Sequence, residues 1–166
     1  MIEKKTDYKL QGKKNRKSGA DFERRVRADL NSKGWIVDKW GNNVVFCNPI
    51  ITAEKDKLVK YEIEGKLIQA KCKWSGPRRP MMMGAGFPDF IAFKYLEGNS
   101  SDNNYARDFY EVIGVECKVN GYLKPEEKEK CQWLLDNNIF SKILIAYKEK
   151  EGRKIVVKYK EFEQCK

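Results

Sequence analysis

The sequence predicts an α/β fold in which helices flank a mixed central β-sheet. Apolar, strand-like segments alternate with helical ones in the order helix, strand, inserted hairpin, strand, strand, helix, strand, strand. The segment 109–148 has the pattern of a strand–helix–strand crossover, and such crossovers are almost always parallel and right-handed. The length of 166 residues suits one domain with its own hydrophobic core. We therefore expect one sheet with a helix packed on each side.

The two ends of the chain differ in composition. Residues 1–17 are polar and basic and are expected to form a flexible arm. Residues 18–166 are expected to form the domain, interrupted by an insertion at about 41–86. Inside the insertion, apolar segments on either side of Glu64 and Gly65 suggest a hairpin, and the Gly- and Pro-rich stretch that follows suggests an irregular loop.

The first helix is predicted to begin at Ser18, which can cap its N-terminus together with Asp21 three residues further on. Gly34 supplies the expected stop. Apolar side chains recur at intervals of four residues and form one stripe: Phe22, Val26 and Leu30. This stripe is typical of a helix that packs against a sheet.

The second helix is predicted to begin near Pro125, a favourable residue for a first turn, and acidic residues follow it. The strands are predicted from apolar runs that are separated by turn residues. They cover residues 35–40, 87–95, 108–118, 142–148 and 154–160. The third of these strands therefore leads directly towards the second helix.

The charge balance favours an anionic partner. Lys and Arg number 34 against 24 Asp and Glu, which gives a formal net charge of +10. Such a charge suits nucleic acid or anionic lipid, although a merely soluble basic protein has the same signature. The sequence contains no histidine, so Ser-His-Asp and Cys-His catalysis and a histidine general base are excluded. Any chemistry must rest on carboxylates, lysines or a carboxylate-bound metal.

The five cysteines are scattered and form no C-x-x-C pair, which argues against a structural zinc site. Their odd number and the lack of a signal peptide indicate reduced thiols. No apolar run approaches the roughly 18 residues that a membrane span needs. We therefore expect a cytoplasmic protein without a membrane partner.

Three residues at one predicted sheet end carry the candidate chemistry. Asp89 lies early in one apolar strand, and Glu116 and Lys118 lie at the end of the next. Residues two apart on a strand share a face, and antiparallel pairing of the two strands would bring Asp89 to the same sheet end. The pattern Glu-x-Lys occurs elsewhere in the chain, but only at Glu116 does it end an apolar strand and precede a helix. Two carboxylates beside an ammonium suit Mg²⁺, with Mn²⁺ as a substitute.

These motifs and the element order resemble the PD-(D/E)XK nuclease superfamily: Pro88-Asp89 matches its first half and Glu116-Cys117-Lys118 its second. More narrowly, the first helix, the two motif strands and the segment 142–148 resemble archaeal Holliday junction resolvases and VRR-type nuclease modules. The resemblance implies a restriction-endonuclease-like αβββαβ core. It also implies a Mg²⁺-dependent DNA endonuclease that acts as a homodimer on branched DNA.

The resemblance also assigns roles to individual residues. Asp89 and Glu116 would be metal ligands, and Cys117 would add only its backbone carbonyl oxygen. Lys118 would be the catalytic lysine. Glu23, on the first helix, would be either an auxiliary metal ligand or an acid just outside the ligands, and in both cases a fourth catalytic group.

Basic residues outside the motif are candidate DNA contacts. They are Lys13, Lys14, Arg16 and Lys17 in the arm, Arg24 on the first helix, and Arg78 and Arg79 in the insertion. Trp40 and Trp74 could stack on bases, although core packing is the stronger expectation for tryptophan.

Two other functions agree with the same residues. One is a restriction- or repair-type nuclease that acts on linear or damaged DNA, with the long insertion supplying recognition. The other is a nucleic-acid-binding module that keeps the fold and the basic surface without catalysis.

Overall fold

The computed structural model describes residues 8–46, 65–71, 86–96 and 109–163. Within these ranges the chain forms a five-stranded sheet, a separate two-stranded sheet and two helices. The elements in chain order are α1 (Tyr8–Ser32), β1 (Ile36–Lys39), β2 (Asn42–Phe46), β3 (Gly65–Gln69), β4 (Phe90–Leu96), β5 (Phe109–Cys117), α2 (Pro125–Asp136), β6 (Lys142–Glu151) and β7 (Lys154–Glu161). The α/β class is therefore as the sequence predicts.

The larger sheet is mixed and has the strand order β1-β4-β5-β6-β7. β5 and β6 are parallel and the other neighbouring pairs are antiparallel. Since α2 connects the two parallel strands, the predicted crossover at 109–148 is confirmed. In the pairing of β4 with β5, Phe90 lies opposite Val115. This register places the start of β4 beside the end of β5, as the sequence predicts for Asp89 and Glu116.

The two helices pack on opposite faces of this sheet. One cluster of buried side chains joins the α1 stripe to central strands: Phe22, Val26, Leu30, Val37, Phe90, Ala92, Ile113, Val115 and Ala146. A second cluster joins α2 to β2 and β6: Val44, Phe87, Cys131, Leu134, Phe140 and Ile143. Ile113 belongs to the first cluster and Val112 packs against the second. Because neighbouring residues of a strand point to opposite faces, α1 and α2 lie on opposite sides of the sheet.

The start of α1 differs from the prediction. The helix begins at Tyr8, so Ser18 lies inside it and does not cap it. Residues 8–17, expected within the arm, are therefore helical, and residues 1–7 lie outside the described part of the chain. The helix continues here because Lys, Gln, Arg and Leu are good helix formers, although the segment has no apolar stripe to signal it. The predicted stop is confirmed, since Gly34 has φ +82°, a left-handed conformation that favours glycine.

The insertion contributes the smaller sheet, in which β2 pairs with β3 in antiparallel orientation. β3 corresponds to the second half of the hairpin predicted at Glu64 and Gly65, and the first half lies outside the described ranges. β2 was not predicted. The Phe87 N–H donates to the Asn42 carbonyl at 2.8 Å, which joins the smaller sheet to the chain just before β4.

The tryptophan expectation is confirmed at one of its two positions. Trp40 packs edge-on against Phe140, with ring centroids 5.2 Å apart, in the α2 cluster. Trp74 lies outside the described ranges.

Replacing the buried Leu134 by alanine tests the packing of α2. Leu134→Ala should lower the free energy of unfolding by about 2–5 kcal/mol, because it leaves a cavity between α2 and the sheet. Leu96→Ala, the same change at a residue that is 43% exposed, should cost less than about 1 kcal/mol. Urea unfolding of both variants measures the difference, and equal losses would contradict the packing described.

Candidate active site

The candidate site begins with two carboxylates at adjoining strand ends. The Asp89 N–H donates to Glu116 Oε2 at 3.1 Å, and the Cys117 N–H donates to Asp89 Oδ2 at 2.9 Å. Each carboxylate is therefore held by the backbone beside the other. The remaining oxygen of Asp89, Oδ1, makes no hydrogen bond within the described residues. The expected convergence of Asp89 and Glu116 is thus present, with one oxygen left to bind a ligand.

Lys118 adds a cation to the pair. Its ammonium lies 3.0 Å from Glu116 Oε1 and 2.7 Å from Glu127 Oε1. Glu116 and Lys118 share a face of the sheet because they are two residues apart. The backbone N–H of Lys118 donates to the Ala146 carbonyl at 2.9 Å, which extends the pairing of β5 and β6 past the end of β5. The predicted motif is therefore assembled from Asp89, Glu116 and Lys118.

Glu127 belongs to the same cluster, and sequence reasoning missed it. Its Oε2 accepts the Lys124 N–H at 2.8 Å, so this side chain caps the start of α2 while its other oxygen holds Lys118. Pro125 occupies the first turn as predicted. The signal in the sequence is an acid three residues after the residue that precedes the helix, a capping-box position. The α2 terminus therefore fixes the position of Lys118.

Burial and repulsion oppose the ionisation of both central acids. Glu116 is only 5% exposed. Burial and then the charge of Asp89 raise its pKa to about 8, against the opposing effect of Lys118. Burial also raises the pKa of Asp89, and the charge of Glu23 adds to this effect, while the Cys117 N–H acts against it. Because burial and mutual repulsion oppose the ionisation of both carboxyl groups, a cation bound between them would stabilise their ionised forms.

Lys118 is a protonated group in this setting. Although burial lowers the pKa of Lys118, its hydrogen bond to Glu127 and the charge of Glu116 raise it to about 12 overall. For Glu127, burial raises the pKa, but the hydrogen bonds from Lys118 and from the Lys124 N–H lower it overall. The lysine can therefore donate hydrogen bonds and offset negative charge, but it is a poor base at neutral pH.

Glu23, the predicted auxiliary acid, lies near this cluster and forms an ion pair of its own. Its Oε2 lies 2.5 Å from the ammonium of Lys39, at the end of β1. Lys39 is followed by Trp40, whose N–H donates to the Asp89 carbonyl at 3.2 Å. Glu23 is therefore close enough to Asp89 for its charge to raise the pKa of Asp89. Its direct contact is with Lys39, an ion pair that the sequence did not indicate.

Cys117 lies between Glu116 and Lys118 in the chain, and its side chain points to the opposite face of β5. Its side chain packs against the α1 cluster. Burial, followed by the charges of Asp89 and Glu116, raises the pKa of its thiol. The thiol therefore remains protonated and is a poor nucleophile.

The predicted DNA contacts are distributed along α1 where the structure describes them. Lys13, Lys14, Arg16 and Lys17 are exposed on its first half. Arg24 is exposed and forms an ion pair with Asp21. Arg78 and Arg79 lie outside the described ranges.

The residues fit a cation that needs few protein ligands. Within the described ranges, no group of three or more His, Cys, Asp or Glu side chains is arranged to hold a metal ion. Mg²⁺, however, is usually held by one or two carboxylates and keeps several waters. The paired oxygens of Asp89 and Glu116 suit that requirement and do not suit a closed, all-protein site such as that of structural zinc.

No protein-family model, curated protein or solved structure matches this chain. In the part of the chain that the structure covers, no helix has the length and apolar character to cross a membrane.

The raised pKa of Glu116 makes stability depend on pH. Between its ordinary value of 4.5 and about 8, the folded protein holds a proton that the unfolded chain has released. Rising pH therefore destabilises the folded state over this range. In EDTA, the free energy of unfolding of the native protein should fall relative to that of Glu116→Gln as pH rises towards 8. Urea titrations at several pH values measure this, with Glu126→Gln, at an exposed acid of α2, as the control. Parallel curves for Glu116→Gln and the native protein would contradict it.

Proposed function

We propose that this protein is a Mg²⁺-dependent DNA endonuclease of the PD-(D/E)XK type, with a preference for branched DNA such as a Holliday junction. The observation that carries the proposal is the convergence of Asp89 and Glu116, with the ammonium of Lys118 3.0 Å from Glu116. The Asp89 N–H donates to Glu116, and the Cys117 N–H donates to Asp89. The order of the larger sheet also supports it. A helix, three antiparallel strands, a second helix and a parallel strand fit a restriction-endonuclease-like αβββαβ core.

Asp89 and Glu116 would hold the cation, with the backbone carbonyl of Cys117 as a further ligand and Glu23 as an auxiliary acid. When bound, Mg²⁺ supplies Lewis acidity towards the phosphate and lowers the pKa of a bound water, and Mn²⁺ can substitute for it. Glu23 forms an ion pair with Lys39 in this structure. To act as an auxiliary ligand, its carboxylate would have to leave Lys39 and turn towards the cation.

Lys118 would act as a positioned cation. Glu116 and Glu127 hold its ammonium from two sides, which leaves one of its three N–H donors for the substrate or the attacking water. Because its pKa is raised to about 12, it would stabilise negative charge that develops on the phosphate and would not remove a proton. The anchoring of Glu127 in the first turn of α2 keeps this donor in place before the substrate arrives.

DNA as the partner follows from the site and from the net charge of +10. The homodimer and the preference for junctions follow from the resemblance to resolvases, in which two active sites cut opposing strands. A cytoplasmic, DNA-associated protein is the corresponding expectation for location.

Cleavage of an end-labelled four-way junction, beside a linear duplex with the same arm sequence, tests the proposal. Mg²⁺ should support nicking of the junction, EDTA should abolish it, and Glu116→Gln should slow it by at least about a hundredfold. Glu126→Gln is the matched control, because Glu126 and Lys128 form another Glu-x-Lys pattern on the surface of α2. Its activity should remain within about twofold of the native protein.

The other outcomes separate the alternatives. Equal cutting of both substrates would keep the nuclease and favour a restriction- or repair-type activity on linear DNA. Tight binding without cutting in Mg²⁺ or Mn²⁺ would refute the nuclease and leave a binding module.

The proton on Glu116 should compete with the cation. Since the pKa of Glu116 in the cation-free protein is about 8, binding of Mg²⁺ at lower pH must displace a proton. The Mg²⁺ concentration at half-maximal rate should therefore fall, by up to about tenfold per pH unit, as pH rises from about 6 to 8. Initial rates over a Mg²⁺ series at fixed ionic strength measure this. A requirement that stays constant over the range would argue against Glu116 as a ligand.

A further inference from the structure

The β6–β7 hairpin carries a basic face on the side of α1. Ala146 packs in the α1 cluster, so Lys148 and Lys150, at alternate positions further along β6, point to the same face. Ile155 lies opposite Lys150 on β7 and therefore shares that face. This side of the described hairpin presents lysines and apolar side chains beyond Ala146, and no acid.

The acids of the hairpin lie on its other face. Glu149 and Glu151 alternate with the lysines along β6 and pair with Lys158, with N···O distances of 3.7 Å and 2.7 Å. Both acids therefore share the single charge of Lys158, and among the described ion pairs neither of them contacts Lys148 or Lys150. The hairpin therefore separates its charges between its two sides.

A groove of about 290 Å³ lies between the basic face of the hairpin and the first half of α1. Its lining residues are Lys14, Lys17, Ser18, Asp21, Phe22, Arg25, Lys148 and Ile155. The single acid, Asp21, is paired with Arg24. The ammonium of Lys148 lies 5.1 Å from the centroid of the Phe22 ring. We call this feature the basic groove.

The cations of the basic groove have no acidic partner in the described part of the chain. Within the described residues, none of Lys14, Lys17, Arg25 and Lys148 forms an ion pair. By contrast, Lys33, on the second half of α1, lies 2.7 Å from Asp29. Four cations that surround one groove and pair with no described acid create a positive potential, which a bound anion would relieve.

The groove opens at the same end of the sheet as the candidate active site. Cys117 lies opposite Ala146, so Lys148 stands just past the end of β5. The Lys148 N–H donates to the carbonyl of Val119, the residue after Lys118, at 3.2 Å. On α1, Phe22 lines the groove. The next residue, Glu23, is close enough to the active site for its charge to raise the pKa of Asp89.

We propose that the basic groove binds the sugar–phosphate backbone of the DNA substrate, away from the bond that is cut. Lysine ammonium groups contact phosphates as point charges, independently of base sequence, and Phe22 and Ile155 give the groove an apolar floor. The inference rests on the proposed function, which identifies the polyanion as DNA. It assigns Arg25 and Lys148 as DNA contacts and places Lys14 and Lys17 in the same site.

Salt-dependent binding of a fluorescent linear duplex in EDTA tests this assignment without cleavage. The double variant Lys17→Gln/Lys148→Gln removes one cation from each wall. Each lost phosphate contact should reduce the slope of log K against log[KCl] by about 0.9, so the slope should become shallower by about 2. Lys66→Gln/Lys94→Gln, with the same loss of charge in β3 and in the distant half of β4, should leave the slope unchanged.

A single change protects the test from a folding defect. Lys17→Gln alone alters an exposed helix side chain that is independent of the contact of Lys148 with Phe22, and it should reduce the slope by about 1. Thermal unfolding of each variant verifies that the fold is kept.

Equal reductions of the salt slope in the groove variants and in the control variant would refute the proposed DNA contact. An unchanged slope in all variants would also refute it. Binding to vesicles of anionic phospholipid without binding to the duplex would also refute it, in favour of a membrane surface. Its failure is separable from that of the nuclease. If the groove variants reduce the slope but the protein never cuts DNA, the groove contacts DNA and the proposed nuclease activity is refuted. If the protein cuts DNA but the groove variants leave the slope unchanged, the nuclease stands and the groove contact is refuted.

Discussion

The antiparallel pairing of β4 with β5 decides where the two central carboxylates of this chain meet. With Phe90 opposite Val115, Asp89 and Glu116 reach the same sheet end, where each accepts a hydrogen bond from the backbone beside the other. A slip of one residue would turn Glu116 to the opposite face and break both bonds. Packing of the apolar residues of β5 on both faces holds the register. The hydrophobic core therefore builds the candidate site, and the helices then add Glu23 and Glu127 around it.

This arrangement gathers more negative charge than its surroundings readily accept. Glu116 and Asp89 are both poorly hydrated, and Lys118 divides its single charge between Glu116 and Glu127. The cation-free protein relieves the conflict by raising the pKa of Glu116 to about 8, so that this acid is mostly protonated at neutral pH. A divalent cation would relieve it in another way, and the chain has no histidine to carry acid–base chemistry instead. The electrostatics thus agree with the cation-dependent chemistry that we propose.

The core of the fold and the central pair of acids could be predicted from local sequence patterns. The other features of the fold and of the site depend on contacts between distant segments. The α1 stripe, the crossover and the approach of Asp89 to Glu116 follow from periodicity and strand alternation. Glu127 was missed because its capping-box position indicates that it caps the second helix, but not that its other oxygen contacts Lys118. The first turns of α1 lack an apolar stripe, so helix propensity was their only signal. β2 depends on its pairing with β3, and the basic groove becomes visible only once the register of β6 and β7 is known.

The most direct test of the account is binding of Mn²⁺ to the protein without DNA, measured at pH 8 from the loss of the free-ion electron paramagnetic resonance signal. The native protein and Glu126→Gln should bind the ion with equal affinity. Asp89→Asn/Glu116→Gln should bind it at least about tenfold more weakly, because each change removes a charged ligand oxygen. Equal binding by the double variant and the native protein would contradict the claim that these two acids form a cation site.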